Sequence, residues 1–289
     1  MQFWFALAML TALFWGLSSV FAKLSTPRLG VARVAALIVI IESIAYSLGF
    51  FFWHSNVAIS VGYAFLAAAS AFVGVAAYLC FFESVLDGQI AIVGTISAAY
   101  PSLTVIGALA FLAESLTVTQ LFAIGAIICG IIALSYESNP HSTYAVPRRS
   151  LLFALSAFAL WGLWSLTAKI VVSKIGAGDL FGFYVISTLT VPSAYMWFRR
   201  RALHTNTVEP SLASWTLGAT GLALNVCGTL AFTFALSVGF ASLVAPISSA
   251  YPVVTVIAAL LLLREKLNRL QVVALCLVIA GLLVIAAVG

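Results

Sequence analysis

Long apolar runs and short polar breaks alternate from one end of this chain to the other. A helix that crosses a bilayer needs about 20 largely apolar residues. The pattern predicts ten such spans, at residues 3–23, 31–53, 59–82, 89–112, 118–135, 150–172, 179–198, 212–236, 239–263 and 268–288. The longest polar stretch, Tyr136 to Arg149, divides them five and five, giving units at 1–136 and 150–289 joined by a linker at 137–149. Met1-Gln2 runs straight into the first span without a basic segment or a small-residue cleavage site, so this run reads as a retained helix and not a signal peptide.

The two units repeat each other. Ile96-Ser97-Ala98-Ala99-Tyr100-Pro101-Ser102-Leu103-Thr104-Val105-Ile106 aligns with Ile247-Ser248-Ser249-Ala250-Tyr251-Pro252-Val253-Val254-Thr255-Val256-Ile257 at an offset of 151 positions (252 − 101). Phe14-Trp15-Gly16-Leu17-Ser18 aligns with Leu160-Trp161-Gly162-Leu163-Trp164 at an offset of 146 (161 − 15). Glu114-Ser115-Leu116-Thr117-Val118-Thr119-Gln120 aligns with Glu265-Lys266-Leu267-Asn268-Arg269-Leu270-Gln271. Thr117 with Gln120, and Asn268 with Gln271, form capping-box starts for spans five and ten, with Glu114 and Glu265 near positive helix ends. Five is odd, so the second unit must enter the membrane in the opposite sense to the first. Each proline removes a backbone donor inside an apolar run. Two matched broken spans at an inverted-repeat boundary point to a binding site between the halves; Pro101 and Pro252 are its expected hinges.

Composition narrows the class. The chain is 64% apolar and 7% charged, with a mean hydropathy of +1.18, whereas soluble domains carry roughly 25% charged residues. The formal charge of +5 does not imply nucleic acid. Eleven of the thirteen Lys and Arg residues fall in loops 1–2, 5–6, 7–8 and 9–10, against Lys169 and Lys174 on the other face. That bias predicts a multi-pass protein of a bacterial inner membrane with both termini outside. Cys80, Cys129, Cys227 and Cys276 lie within apolar runs without ligand or paired spacing, and read as packing residues. His54, His141 and His204 lie in loops without ligand-spaced partners, and no phosphate loop or nucleophile motif occurs. No enzyme, metal or cofactor is expected.

The twin Trp-Gly turns, the twin Tyr-Pro spans and the Glu-x-Leu-x-x-x-Gln joints resemble the EamA branch of the drug/metabolite transporter (DMT) superfamily, over essentially the whole chain. The resemblance implies an all-α fold of ten transmembrane helices in two inverted five-helix repeats. It also implies alternating access around a central cavity lined by spans one, three, four, six, eight and nine, and a small organic solute such as an amino acid, a metabolite or an organic cation.

Glu42, midway along span two, is the most informative side chain, because an intramembrane charge is costly and marks function by default. Tyr46 stands one turn later and could donate to it; the pair is the expected coupling or counter-ion site. The alternative is a glutamate that locks span two to its neighbours. Span seven is neutral opposite it, at Ser187 and Thr188. Lys23 and Lys169 end spans one and six and read as snorkelling residues, or as partners of a carboxylate. Glu83 and Asp87 close span three as gate or loop residues. Trp15, Tyr78, Tyr100, Trp161, Trp164 and Tyr251 fall on the expected cavity spans, where they could box an aromatic solute or cage an ammonium group. Ser97, Ser248, Asn225 and Thr229, with Thr233, could supply hydrogen bonds there or between helices. The expectation is a secondary exporter or exchanger of a small amphipathic metabolite, an amino acid before a quaternary amine or drug. The rival is a lipid-linked carrier or flippase component. If the solute is cationic, Glu42→Gln abolishes binding; if it is a zwitterion, the change mainly alters pH dependence or stability. The sequence leaves monomer and dimer open.

Overall fold

The computed structural model describes residues 2–55, 58–87, 96–134, 147–203, 210–258 and 268–288, with backbone alone at 23, 85–87 and 200–203. Among the described residues all regular structure is helical. The helices are α1 (Phe3–Leu29), α2 (Val31–Trp53), α3 (Val61–Asp87), α4 (Pro101–Phe111), α5 (Val118–Leu134), α6 (Arg148–Ile175), α7 (Ala177–Leu203), α8 (Leu212–Val238), α9 (Ala241–Ser248), α10 (Tyr251–Ala258) and α11 (Arg269–Val288). By length and composition, α1, α2, α3, α6, α8, α11 and the run Ala241–Ala258 can each cross a membrane. Helix α7 is as long but less apolar, and the runs Ile96–Phe111 and Val118–Leu134 are shorter. These ten correspond to the ten predicted spans. Residues 89–95 of span four, 259–263 of span nine, 137–146 of the linker and Glu265 lie outside the described residues, as do the side chains of Lys23 and Asp87.

The predicted breaks are visible. Helix α9 stops at Ser248 and α10 starts at Tyr251, while a turn at Ala99-Tyr100 precedes α4. The chain breaks in the turn just before each proline, which then occupies the first turn of the following segment. Its missing N–H costs nothing there.

Helix pairing shows the repeat in three dimensions. Helix α1 lies along α8, and its counterpart α6 lies along α3; α2 packs on α7, α5 on α11, and α9 on α4. Exchanging the repeats swaps the first two of these contacts and leaves α2 on α7 and α5 on α11 unchanged, as a pseudo-twofold relation requires. The first corner is the same in both: Gly30 (φ 75°) turns α1 into α2 and Gly176 (φ 89°) turns α6 into α7. A Cβ is strained in that left-handed region. At the α5–α11 contact, a Cβ on Gly130 would stand 2.6 Å from Val278, and one on Gly281 would stand 2.7 Å from the Ala123 carbonyl. Small residues let backbones approach where lipid supplies no hydrophobic drive between helices. Both capping boxes form: the Thr117 and Gln120 backbone amides and side chains exchange bonds of 2.9 and 3.2 Å, and Asn268 and Gln271 exchange bonds of 3.1 and 2.9 Å.

Cys129, Cys227 and Cys276 are exposed on helix surfaces and Cys80 is half-buried. The packing role expected for the cysteines therefore fails for three of them. An apolar thiol is equally at home on a lipid-facing surface, so hydropathy alone could not separate the two.

Candidate functional site

Glu42 lies halfway along α2 and is 4% exposed. Its Oε1 accepts a 3.2 Å hydrogen bond from Asn225 Nδ2, halfway along α8. One turn on, Tyr46 makes no hydrogen bond to Glu42; its ring packs on Phe181 and Tyr184 of α7 at 6.2 and 5.2 Å. Asn225 and Thr229 are one turn apart on α8, as are Glu42 and Tyr46 on α2. Thr229 and Thr233 bond the carbonyls of Asn225 and Thr229, at 3.1 and 2.8 Å. Beside Glu42, Ser43 Oγ shares a 2.9 Å bond with Thr188 Oγ1 of α7. Thr188 is the repeat counterpart of Glu42 (188 − 42 = 146), so the acid is present in one repeat only. Asn225 thus brings the α2 acid against α8, a helix that the resemblance assigns to the cavity.

Two aromatic groups are related by the repeat. In one, Trp15 meets Phe232 and Tyr251 at ring-centroid distances of 5.3 and 6.4 Å. In the other, Trp161 meets Phe81 and Tyr100 at 5.5 and 6.1 Å. Phe81 and Phe232 share the 151 offset of Tyr100 and Tyr251; the repeat alignment carried that signal, although neither phenylalanine stood out alone. The groups then diverge. Trp164 stacks on Phe232 at 5.1 Å and reaches Trp15 at 6.4 Å, donating from Nε1 to the Tyr184 hydroxyl at 2.9 Å. Its counterpart is Ser18, and the Tyr78 ring lies 6.4 Å from Trp161.

The Trp-Gly pairs serve close packing. A Cβ on Gly16 would fall 2.7 Å from the Tyr251 carbonyl, and one on Gly162 would fall 3.3 Å from the Tyr100 carbonyl. Ser97 Oγ donates to the Ala154 carbonyl of α6 at 3.4 Å. Ser248 is fully buried and its hydroxyl has no partner among the described residues. Pro101 is buried and Pro252 half-buried at the two breaks.

The two ends are closed differently. At one, Glu83 of α3 accepts from Tyr195 at 2.6 Å and Arg199 at 3.0 Å, both on α7, and from Arg149 of α6. Sequence reasoning placed Glu83 at a gate but missed its three partners, which are remote in the chain. At the other end Glu114 accepts from the Ala241 and Ser242 amides at 2.8 and 2.9 Å and from Ser242 Oγ at 2.6 Å. The positive helix end that Glu114 meets is therefore that of α9, in the other repeat. Lys169 does not snorkel: Nζ donates to the carbonyls of Leu236 and Gly239 at 2.8 and 2.7 Å, capping α8. At this end a groove of about 660 Å³ between α2 and α7 is lined by Phe50, His54, Asp179 and Ile186 among others; its lining shares no residue with the midplane cluster. Among the described residues no group of three potential metal ligands occurs.

Comparison with known proteins places this arrangement. One solved structure, described only as the crystal structure of a protein, matches with a TM-score of 0.79 over 99% of both chains at 15% identity, a likeness of fold. An uncharacterised protein of Methanocaldococcus jannaschii is 30% identical over 137 residues, which are 47% of this chain and 96% of the relative. That relative is thus about as long as one repeat. The model of the EamA-like transporter family matches twice, at residues 2–136 and 148–287. With both halves matched, this multi-pass membrane protein belongs to the EamA-like transporter family, within the drug/metabolite transporter superfamily.

Proposed function

We propose that the chain is a secondary transporter, an exporter or exchanger, that moves a small amphipathic metabolite with a basic nitrogen by alternating access between its repeats. One observation carries this reading: a buried carboxylate, Glu42, is held halfway along its span by the amide of Asn225 on α8, the helix that also brings Phe232 to one of two repeat-related aromatic groups. Among the described residues no Lys or Arg pairs with Glu42. A cation from the cargo, or a proton, would meet the one acid at this level, and the indole and phenol rings would enclose its apolar part. In this reading Glu42 is the coupling or counter-ion residue, with Tyr46 keeping its partner helix in register. Trp15, Tyr78, Tyr100, Trp161, Trp164 and Tyr251 wall the cargo, and Asn225 and Thr229 orient it. Ser97 holds helices together, whereas the Ser248 hydroxyl, without a partner among the described residues, is left to face the cargo. Pro101 and Pro252 are the hinges about which the broken spans swing. Amino acids come first as cargo and quaternary amines or drugs second.

The purified chain in liposomes, loaded in turn with amino acids and organic amines, tests this. Exchange above that of empty vesicles is the expected result, with Glu42→Gln abolishing it for a cationic solute and mainly shifting its pH dependence for an amino acid; no movement of any of these solutes counts against it. The groove between α2 and α7 gives the lipid-linked carrier reading its footing. Scrambling of a labelled lipid without solute exchange would put that reading first.

A further inference from the structure

Two indoles of the aromatic groups pack closely on glycines. A Cβ on Gly74 would stand 2.7 Å from Trp164 Cδ1 and 2.9 Å from its Nε1, and one on Gly228 would stand 2.4 Å from Trp15 Cδ1 and 2.7 Å from its Nε1. In both, the glycine stands nearest the Cδ1–Nε1 bond of the ring. The two N–H groups end differently. Trp164 Nε1 donates to the Tyr184 hydroxyl, whereas Trp15 Nε1 is buried with no acceptor among the described residues. An indole N–H can only donate, and a buried donor without an acceptor is costly. Gly228 follows Asn225 by one turn on α8, so this unused donor stands on the same stretch of helix as the residue that holds Glu42. In the opposite group the Tyr100 hydroxyl is also buried, at 3% exposure, without a partner among the described residues.

We infer that Trp15 determines specificity: its Nε1–H takes an acceptor oxygen of the cargo whose basic nitrogen meets Glu42. The cargo is then an amine with a carboxylate, carbonyl or hydroxyl on a neighbouring carbon, and not a bare organic cation. This rests on the reading of Glu42 as the nitrogen site.

The test measures binding of matched pairs, leucine with isoamylamine and phenylalanine with phenethylamine, to the full chain in nanodiscs. The wild type should prefer the member with the carboxylate on the order of tenfold, the scale of one hydrogen bond to a charged group. Trp15→Phe keeps a ring beside Phe232 but has no N–H. It should bring each pair level by weakening the amino acid alone; a purely structural role would weaken both members alike. Should that variant not fold, Gly228→Ala, whose methyl at 2.4 Å from Cδ1 displaces the indole and its N–H, should also erase the preference. Equal affinities in the wild type, or a preference that survives these changes, overturn the inference while leaving the nitrogen site standing. If neither member of either pair binds, the Glu42 reading fails and this inference falls with it.

Discussion

Each end of the molecule holds a buried glutamate, Glu83 at one and Glu114 at the other, and the two are held by different chemistry. Glu83, 5% exposed, is gripped by side chains: Tyr195 and two arginines that are themselves 49% and 40% exposed. Glu114, 8% exposed, is gripped mainly by the backbone of another helix, through the first amides of α9. If the first cluster opens, both guanidinium groups can turn to water at little cost. If the second opens, backbone donors are left in an apolar interior, which is expensive. The contrast extends to the repeat. Glu83 and Arg199 correspond to Phe234 and Trp53 (234 − 83 = 151; 199 − 53 = 146), and those two rings pack edge to face at 5.4 Å. An ionic contact at one end is thus replaced by an aromatic one at the other. The Glu83 end is built as a latch and the Glu114 end as a joint.

The comparison breaks most readily at the joint. Glu114→Ala should lower unfolding stability by about 2–4 kcal/mol, because two buried amides and the Ser242 hydroxyl lose their acceptor. Chemical unfolding in detergent measures it, and a loss no larger than that of Glu83→Gln would remove the distinction. Next come Gly16→Ala and Gly162→Ala. Each forces a methyl within 2.7 Å of a side-chain Cβ across the interface, Gly16 against the Tyr251 carbonyl as well. Both should cost about 1–3 kcal/mol, with Gly16 the worse. Clearly unequal effects in the other direction would mean that the ends differ because one repeat is weaker, and not because of the chemistry at each end. Trp53→Leu should cost about 1 kcal/mol, the scale of an aromatic pair, and the loss should be the same at low and high salt. A strong salt dependence would argue against an apolar contact there. Glu83→Gln should cost least, below about 1 kcal/mol, since its partners are solvent-accessible. It should nevertheless speed maleimide labelling of a Ser84→Cys probe several-fold, with high salt doing part of the same. Unchanged labelling would mean that Glu83 does not latch this end.

Much of the fold was readable in advance because the constraints were local or repeated. A span announces itself by length and apolarity, a capping box by residues three apart, and a broken helix by its proline. The repeat offset even pairs Phe81 with Phe232 and Gly130 with Gly281. The site was readable only in outline. Glu42 stood out because a carboxylate does not enter a bilayer without cause, but its partner lies 183 positions away, and proximity in sequence pointed instead to Tyr46. Tyr184, Phe81, Phe232 and the Arg149–Arg199–Tyr195 set had no local mark, since aromatics and arginines are common at membrane depth and at its borders.

Sequence alone therefore determined that the chain lives in a membrane, that it has ten spans in two repeats, and that the repeats are inverted. Those properties follow from hydropathy, counting and parity, which need no contacts. Tertiary structure decided which polar groups are spent on holding helices together and which remain free for other work. Lys169, Glu114 and Ser97 turned out to be occupied, whereas the Trp15 N–H and the Tyr100 hydroxyl have no partner among the described residues. The physical reason is that hydrogen-bond satisfaction in an apolar medium is settled between helices. Residues far apart in the chain become one another's only alternative to water.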